Sequence, residues 1–169
     1  MTGGAGYIGS ALIRHLLGSS RDSVVNLDSL TYAGNLESLG TFREHPRHHF
    51  IQADICDAAA VREAFQTYRP SGVLHLAAES HVDRSIDDPG DFVRTNIVGT
   101  YTLLRESLAY WRGLPPRTAS TFRFVHVSTD EVFGSLEDGG QFNRSQSIRP
   151  KLALLSEQGR RRPSRPGLA

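Results

Sequence analysis

The chain has 169 residues, which suits one ordinary domain. An apolar fraction of 38% and a charged fraction of 22% can supply a core and exclude a wholly disordered chain, and the net charge of +1 excludes a strongly basic nucleic-acid-binding protein. The charge is unevenly distributed: residues 1–143 contain 12 basic and 17 acidic side chains (net −5), whereas residues 144–169 contain 7 basic and 1 acidic (net +6).

Strand-like and helix-like segments alternate along the first three quarters of the chain. In chain order the patterns predict a helix over Ile8–Leu17, strands over Val24–Leu27 and Phe50–Gln52, a helix over Ala58–Tyr68, a strand over Val73–Ala77, a helix over Asp91–Tyr110 and a strand over Phe122–Val127. This alternation is typical of βαβ units. We therefore expect an α/β fold with a doubly wound parallel sheet.

The glycine-rich segment TGGAGYIGS opens the chain at Thr2. Gly3, Gly6 and Gly9 lead directly into the first predicted helix, so the main chain can approach a pyrophosphate at the helix N-terminus, where free N–H groups and the helix dipole favour negative charge. A glycine triplet alone also fits a tight loop without ligand. The context of the next strand decides between the two interpretations.

Asp28 ends that strand, 19 positions after Gly9, where a carboxylate can accept hydrogen bonds from an adenosine ribose. Ser29 follows and no Arg is near to hold a 2′-phosphate, so NAD is favoured over NADP. The alternative is an exposed aspartate at a strand end. Asp54 and Ile55 follow the next strand and are expected at the adenine edge.

Two further segments carry polar groups after predicted strands. Residues 76–80 (LAAES) contain small side chains that let a dinucleotide pass closely, and His81, Asp83 and Arg84 behind them are expected to form loop salt bridges. Asp130 and Glu131 follow the last strand; adjacent buried carboxylates separate in pKa and can serve as acid and base. The start of a short helix or turn explains the same pair equally well.

Other patterns exclude whole classes of protein. Cys56 is the only cysteine, so an intrachain disulfide and a thiolate metal cluster are excluded. The chain shows neither a run of about 18 apolar residues nor a signal peptide, so we expect a cytoplasmic protein without membrane association. His45, His48 and His49 surround a proline in a polar loop, and we predict no metal site there.

These motifs together resemble a known family. TGGAGYIG, LDSLTYAGNLESL, ADICD, HLAAESHVDRSI, RTNIVGT and VSTDEVFGS are similar to segments of the NAD-dependent dTDP-glucose 4,6-dehydratases, members of the extended short-chain dehydrogenase/reductase superfamily with a Rossmann-like domain. The resemblance covers residues 2 to about 143. The glycine motif is shared across the superfamily, whereas Thr129-Asp130-Glu131 is specific, because epimerases and decarboxylases of the same fold usually lack the acidic pair.

The resemblance implies conversion of dTDP-glucose to dTDP-4-keto-6-deoxyglucose by C4 oxidation, elimination of water across C5 and C6, and C6 reduction. Glu131 would remove the C5 proton, Asp130 would protonate the leaving C6 hydroxyl, and Thr129 and Ser80 would bind substrate. The implied NAD-binding set is Gly3, Gly6, Tyr7, Ile8, Gly9, Asp28, Ser29, Leu30, Thr31, Asp54, Ile55, Leu76, Ala77, Ala78, Glu79, Ser80 and Thr95. The family is homodimeric through helices that include the Asp91–Tyr110 region.

The sequence departs from the family at both ends. An apolar strand normally precedes the glycine motif and lies centrally in the sheet; with Met1 directly before Thr2, we expect two unpaired strand edges and an exposed apolar seam. Residues 144–169 contain no tyrosine and one lysine, Lys151, so the family's Tyr-x-x-x-Lys pair is absent. We expect a partial NAD-binding domain over 1–143 and a basic tail over 144–169 that is disordered or out of frame.

A frameshift is our hypothesis for the origin of the tail. Codons compatible with residues 151–162, read one nucleotide later, can encode SSPYSASKAAA, which contains the missing pair, so we hypothesise one extra nucleotide near Asn143 and Arg144. A disordered basic arm for nucleic acid is the alternative for the tail. For the whole chain three interpretations stay open: an inactive dehydratase fragment, another nucleotide-sugar epimerase or decarboxylase, and a non-catalytic NAD-binding fragment.

Overall fold

The computed structural model describes residues 1–80, 89–133, 140, 141, 143 and 145. The chain divides into two units, residues 1–127 and residues 128–169, which are described separately. His81, Asp83, Arg84 and nearly all of the basic tail, including Lys151, lie outside the described residues.

The described residues of the first unit form four strands and a series of helices. The strands are β1 (Val24–Asp28), β2 (His48–Gln52), β3 (Gly72–His75) and β4 (Arg123–His126). The α-helices are α1 (Tyr7–Ser19), α2 (Ala58–Tyr68), α3 (Pro89–Phe92), α4 (Thr100–Arg112) and α5 (Pro116–Thr121). A 3₁₀ segment covers Leu36–Glu44 with a kink at Gly40, and a π-helical segment, Val93–Gly99, joins α3 to α4.

All strand pairing is parallel, and two residues at the chain start connect the two strand pairs. β1 pairs with β2, and β3 pairs with β4. Thr2 lies between Leu27 and His75 in parallel bridges to both. The resulting order is β2, β1, Thr2, β3, β4. Successive strands are therefore added in opposite directions on the two sides of Thr2, which is the topological switch point of the sheet. This order confirms the expected doubly wound Rossmann-type α/β fold, with its switch point beside the glycine motif.

The two faces of β1 pack against different helices because successive side chains of a strand point to opposite sides. Val24 joins Ile13 and Leu17 of α1 and Leu39 of the 3₁₀ segment in one buried cluster. Leu27 joins a second cluster with side chains of β3, α2 and α4; its other buried members are Ile55, Val61, Phe65, Val73, Leu103 and Phe122. Helices therefore cover both faces of the sheet, as a parallel sheet requires.

The expected central gap is partly filled. Main-chain hydrogen bonds run from Thr2 N–H to Leu74 O (3.0 Å), from Leu27 N–H to Met1 O (2.9 Å) and from Leu76 N–H to Thr2 O (3.2 Å). The edges of β1 and β3 are thus paired at their carboxyl ends. The apolar seam expected from the sequence persists only toward their amino ends, as a cavity of about 50 Å³ bordered by Met1.

The second unit is described over residues 128–133 and four later positions. Asp130–Phe133 forms a short 3₁₀ helix, and the Ser145 N–H donates to Asn143 Oδ1 at 3.0 Å. In neither unit does the described part of the chain contain a helix with the length and apolar character needed to cross a bilayer.

Candidate cofactor-binding site

The glycine motif forms a turn that other residues cannot form. Gly3 has a φ of +71°, and a Cβ there would lie 2.6 Å from the Ala77 nitrogen. A Cβ on Gly9 would lie 2.1 Å from the Gly3 carbonyl oxygen. The Gly6 N–H donates to that same oxygen, and α1 begins at Tyr7 without a side-chain cap. The turn brings bare main chain against the segment that follows β3 and leaves the α1 N-terminus open to an anion.

Asp28 is buried at the end of β1, and two backbone donors fix its carboxylate. Oδ2 accepts the N–H of Ala5 at 2.8 Å, and Oδ1 accepts the N–H of Leu30 at 2.9 Å. Leu30 adopts a positive φ of 54°, which turns its N–H back toward the strand end. Each carboxylate oxygen can accept a second hydrogen bond, so the group is oriented to receive two hydroxyl donors from one ligand.

A cavity of about 350 Å³ lies at the carboxyl ends of the strands, beside the glycine turn. The predicted residues that line it are Gly3, Gly6, Asp28, Ser29, Thr31, Asp54, Ile55, Leu76, Ala77, Ala78, Glu79 and Thr95. Among the described residues, its lining also includes five that were not predicted: Leu27, Ala33, Ala53, Asp91 and Arg94.

Five predicted residues lie outside this lining: Tyr7, Ile8, Gly9, Leu30 and Ser80. Tyr7 and Ile8 are exposed at the start of α1, so only their main chain is placed to meet a ligand at the helix terminus. Gly9 acts through close packing on Gly3, and Leu30 acts through its N–H on Asp28. The family resemblance implies that all five belong to the NAD-binding set, and that assignment stays a prediction.

Asp54 is tied to the segment around α3. Its Oδ1 accepts the Cys56 N–H at 2.8 Å, and its Oδ2 lies 3.2 Å from a guanidinium nitrogen of Arg94. The Cys56 thiol donates to the Arg94 carbonyl oxygen at 3.2 Å. Burial first, and then the hydrogen bond and charge of Asp54, raise the pKa of Cys56, so the thiol stays protonated at neutral pH. Cys56 is a structural residue here.

Glu79 is held from two directions at the cavity wall. Asn96 clamps its main chain, since Asn96 Oδ1 accepts the Glu79 N–H and Asn96 Nδ2 donates to the Glu79 carbonyl, both at 2.8 Å. Tyr32, in the loop after β1, donates its hydroxyl to Glu79 Oε2 at 3.0 Å. Sequence analysis gave neither Tyr32 nor Asn96 a role at this site. A family-like TYAGN segment was the one signal that marked the Tyr32 loop.

His75 connects Thr2, at the centre of the sheet, to helix α4. It is fully buried, its Nδ1 shares a 2.7 Å hydrogen bond with Thr2 Oγ1, and its Nε2 shares one of 3.0 Å with Thr100 Oγ1 on α4. Burial, then the nearby His126, then the N-terminus lower the pKa of His75 to about 4. At pH 7 the imidazole of His75 is therefore uncharged, and this uncharged ring makes the hydrogen bonds to Thr2 and to Thr100 of α4.

The predicted catalytic residues belong to the second unit. The 3₁₀ helix begins at Asp130, as the helix-start interpretation of the acidic pair predicts. Thr129 is exposed, and the side chains of Asp130 and Glu131 lie outside the described residues. Their roles stay predictions.

The described donor set suits a dinucleotide. The glycine turn provides a close main-chain approach at a helix N-terminus, and Asp28 provides an oriented acceptor at the neighbouring strand end. No group of three or more potential metal ligands occurs among the residues that the structure describes. The prediction of a polar loop around the three histidines was wrong for two of them, because His48 and His49 pair with β1 as the first residues of β2.

Comparison with known proteins agrees with this arrangement. Residues 1–152 match the family model described as GDP-mannose 4,6 dehydratase. The chain belongs to this family. The dTDP-glucose 4,6-dehydratase of Neisseria gonorrhoeae is 59% identical over 136 residues, which are 80% of this chain and 39% of the relative. An Escherichia coli dTDP-glucose 4,6-dehydratase is 51% identical over 166 residues, 98% of this chain and 45% of the relative. These relatives confirm the resemblance seen in the sequence.

Solved structures give the same result. DesIV, a dTDP-glucose 4,6-dehydratase from Streptomyces venezuelae with NAD and TYD bound, aligns with a TM-score of 0.75 at 42% identity, covering 88% of this chain and 44% of that one. A UDP-glucose 4-epimerase complex with NAD from Thermus thermophilus aligns with a TM-score of 0.69 at 28% identity, covering 89% and 43%. This family member thus spans less than half the length of the proteins it matches.

Proposed function

We propose that this chain binds NAD in the cavity at the carboxyl ends of the strands. The observation that carries the proposal is the pairing of a glycine turn with no room for a Cβ and an Asp28 carboxylate oriented by two amides, both at the switch point. The α1 N-terminus would hold the diphosphate, and Asp28 the adenosine ribose. Asp54 and Ile55 would border the adenine.

The charges around the cavity favour NAD over NADP. Asp28, Asp54 and Glu79 line it, and the one basic side chain in the described lining, Arg94, is already paired with Asp54. A 2′-phosphate placed against Asp28 would meet like charge, and the described lining offers no free cation to offset it. Relatives from two enzyme classes, DesIV and the Thermus thermophilus epimerase, were crystallised with NAD, which supports the choice.

A fluorescence titration with NADH and NADPH tests this proposal on the purified 169-residue chain. We expect saturable NADH binding and at least tenfold weaker NADPH binding. Asp28→Asn should weaken NADH binding at least tenfold, because an amide NH₂ would face a backbone N–H and could not accept both ribose hydroxyls. Equal affinity for the two nucleotides, or no binding of NADH, would contradict the proposal.

We further propose that residues 1–143 form the cofactor half of a dTDP-glucose 4,6-dehydratase. Bound NAD would supply the hydride acceptor. Glu131 would take the C5 proton of the sugar and Asp130 would give a proton to the leaving C6 hydroxyl, so one water departs. Thr129 and Ser80 would hydrogen-bond the sugar. Relatives at 51–59% identity with this name support the assignment.

Residues 144–169 contain no Tyr-x-x-x-Lys pair. The family resemblance implies that the tyrosine of this pair is the base for the C4 hydroxyl, so this base is missing. We therefore propose NAD binding without turnover. The test is an assay of this chain with dTDP-glucose and NAD, in which we expect no 4-keto product and no NADH. Measurable 4-keto sugar would overturn the proposed inactivity and leave the dehydratase assignment strengthened.

We also propose that a second copy of the chain covers an apolar stripe on the helical segment 93–112. Val93, Ile97, Tyr101, Leu104 and Leu108 recur every three or four residues on it and are each 45–63% exposed. Light scattering should give a dimer mass that Ile97→Glu converts to a monomer, and a monomeric unmodified chain would contradict this.

The cytoplasmic location predicted from the sequence stays a proposal, testable by cell fractionation.

A further inference from the structure

The loops after β1 and β3 are joined by one side-chain bridge across the switch point. Thr2 separates β1 from β3, so their ends are two strand spacings apart, about 10 Å. The Tyr32 hydroxyl nevertheless reaches Glu79 Oε2 at 3.0 Å. This contact connects residues 47 positions apart in sequence and spans the place where the glycine turn lies.

Both ends of the bridge rest on fixed main chain. The Asn96 side chain holds Glu79 through two hydrogen bonds of 2.8 Å. On the other side, the Gly34 N–H donates to Thr31 O and the Asn35 N–H donates to Ala5 O, both at 2.9 Å. The loop that carries Tyr32 is thereby tied to the glycine motif itself.

The bridge connects two walls of the cofactor cavity. Thr31 and Ala33, the neighbours of Tyr32 in sequence, line one wall, and Ala78 and Glu79 line the other. A dinucleotide with its diphosphate on the glycine turn and its ribose on Asp28 would lie between these walls. The bridge would enclose it on the side opposite the turn.

We infer that Tyr32 and Glu79 form a latch that retains the bound dinucleotide, an inference that rests on the proposed NAD binding. The Tyr32–Glu79 latch opens to admit the ligand and closes behind it. Neither residue touches a reacting atom in this role; both act on the rate at which the ligand leaves.

Stopped-flow measurement of NADH release from the 169-residue chain tests the latch. Tyr32→Phe removes one hydroxyl and keeps the ring, and we expect release about three- to tenfold faster, as the loss of one exposed hydrogen bond to a carboxylate predicts. The association rate should rise by a similar factor, because the bridge is closed in the unliganded chain as well and must open to admit NADH. Glu79→Ala removes the acceptor of the same hydrogen bond and should accelerate release to a similar extent.

Two controls separate a latch from a general structural effect. Tyr68→Phe makes the same chemical change on a half-exposed tyrosine of α2 outside this cavity and should leave release unchanged. The double variant Tyr32→Phe with Glu79→Ala should release NADH no faster than the faster single variant, because both changes break one bond. Thermal midpoints of all variants should agree within a few degrees.

The outcomes distinguish the latch from the function on which it rests. If the unmodified chain binds NADH and Tyr32→Phe releases it at the same rate, the latch is wrong and NAD binding stands. Additive effects in the double variant would likewise overturn the latch. If the unmodified chain binds no NADH, the proposed function and the latch are both wrong.

Discussion

The two ends of the gap between β1 and β3 are built differently. At the carboxyl end, Thr2 pairs with both strands, and the glycine turn, Asp28 and Glu79 surround a cavity of about 350 Å³ with directed hydrogen bonds. At the amino end, no strand within the described residues lies between Val24–Val25 and Gly72–Val73, and a cavity of about 50 Å³ is lined mainly by apolar side chains of the strands, α2 and α4.

The carboxyl end of the gap is built to bind a ligand, whereas the amino end contributes to the stability of the sheet. Backbone amides and strand-end side chains converge at the carboxyl end, where a polar ligand can satisfy them. The amino end offers mainly apolar surface around Met1, whose ammonium donates to Val25 O at 2.7 Å. Burial lowers the pKa of that ammonium to about 6. Changes at the carboxyl end should therefore act on ligand binding, and changes at the amino end on stability.

The largest expected effect comes from filling the glycine turn. Gly9→Ala places a Cβ 2.1 Å from the Gly3 carbonyl oxygen, so α1 and the glycine turn must move apart. We expect a loss of about 3 kcal/mol or more in the free energy of unfolding and no detectable NADH binding. Denaturant unfolding and NADH titration measure the two effects.

Gly18→Ala is the matched control on the same helix. A Cβ at Gly18 has its nearest neighbour at 3.7 Å, an ordinary contact with Phe42. Because alanine is the better helix former, this variant should gain up to about 1 kcal/mol and bind NADH normally. Equal behaviour of the two variants would show that the close approach of Gly9 to Gly3 does not hold in solution.

The sequence patterns predicted the regular elements well. The four strands and α2 lie within two residues of their predicted positions, because short apolar runs and helical periodicity carry that information. The segment Leu36–Glu44 was not predicted, since a kink at Gly40 breaks its period. Helix α5 was also missed; it has no buried side chain to create an apolar pattern.

The site was predicted in part for a similar reason. Residues after each strand could be assigned to one edge of the sheet because parallel strands share that edge. The pairings Tyr32–Glu79, Arg94–Asp54 and Asn96–Glu79 join positions 17 to 47 residues apart through loop conformations that no periodic pattern encodes. The bridges of Thr2 to β1 and β3 were missed because two residues are too few to form a strand pattern.

The next largest effect is expected from the buried imidazole of His75, between the two ends of the gap. The pKa of His75 is about 4 in the folded chain against an ordinary 6.5, so between these values the unfolded chain binds more protons. The free energy of unfolding should therefore fall as the pH is lowered from about 6.5 to about 4. The full loss is about 3 kcal/mol.

Urea unfolding at a series of pH values measures this loss, and a glutamine variant isolates it. His75→Gln removes the titrating group, so the dependence between pH 6.5 and 4 should flatten, at the cost of lower stability at neutral pH. His15→Gln, on the exposed side of α1, should keep the full dependence. An unchanged slope in His75→Gln would assign the loss to other groups.

The smallest expected effect tests the amino end of the gap. Fusing Val-Ile-Val-Val before Met1 should stabilise the chain by about 1–2 kcal/mol more than fusing Gly-Ser-Gly-Ser, because the apolar side chains can fill the cavity between Val25 and Val73. Both fusions replace the buried ammonium with an amide N–H that can still donate to Val25 O. Both should therefore abolish the fall in stability between pH 8 and 6 that a folded-state pKa of about 6 imposes.

NADH affinity should stay unchanged in both fusions, since the cavity at the carboxyl end is untouched. Equal stability of the two fusions would mean that the apolar cavity accepts no strand, and a change in NADH affinity would mean that the two ends of the gap are coupled.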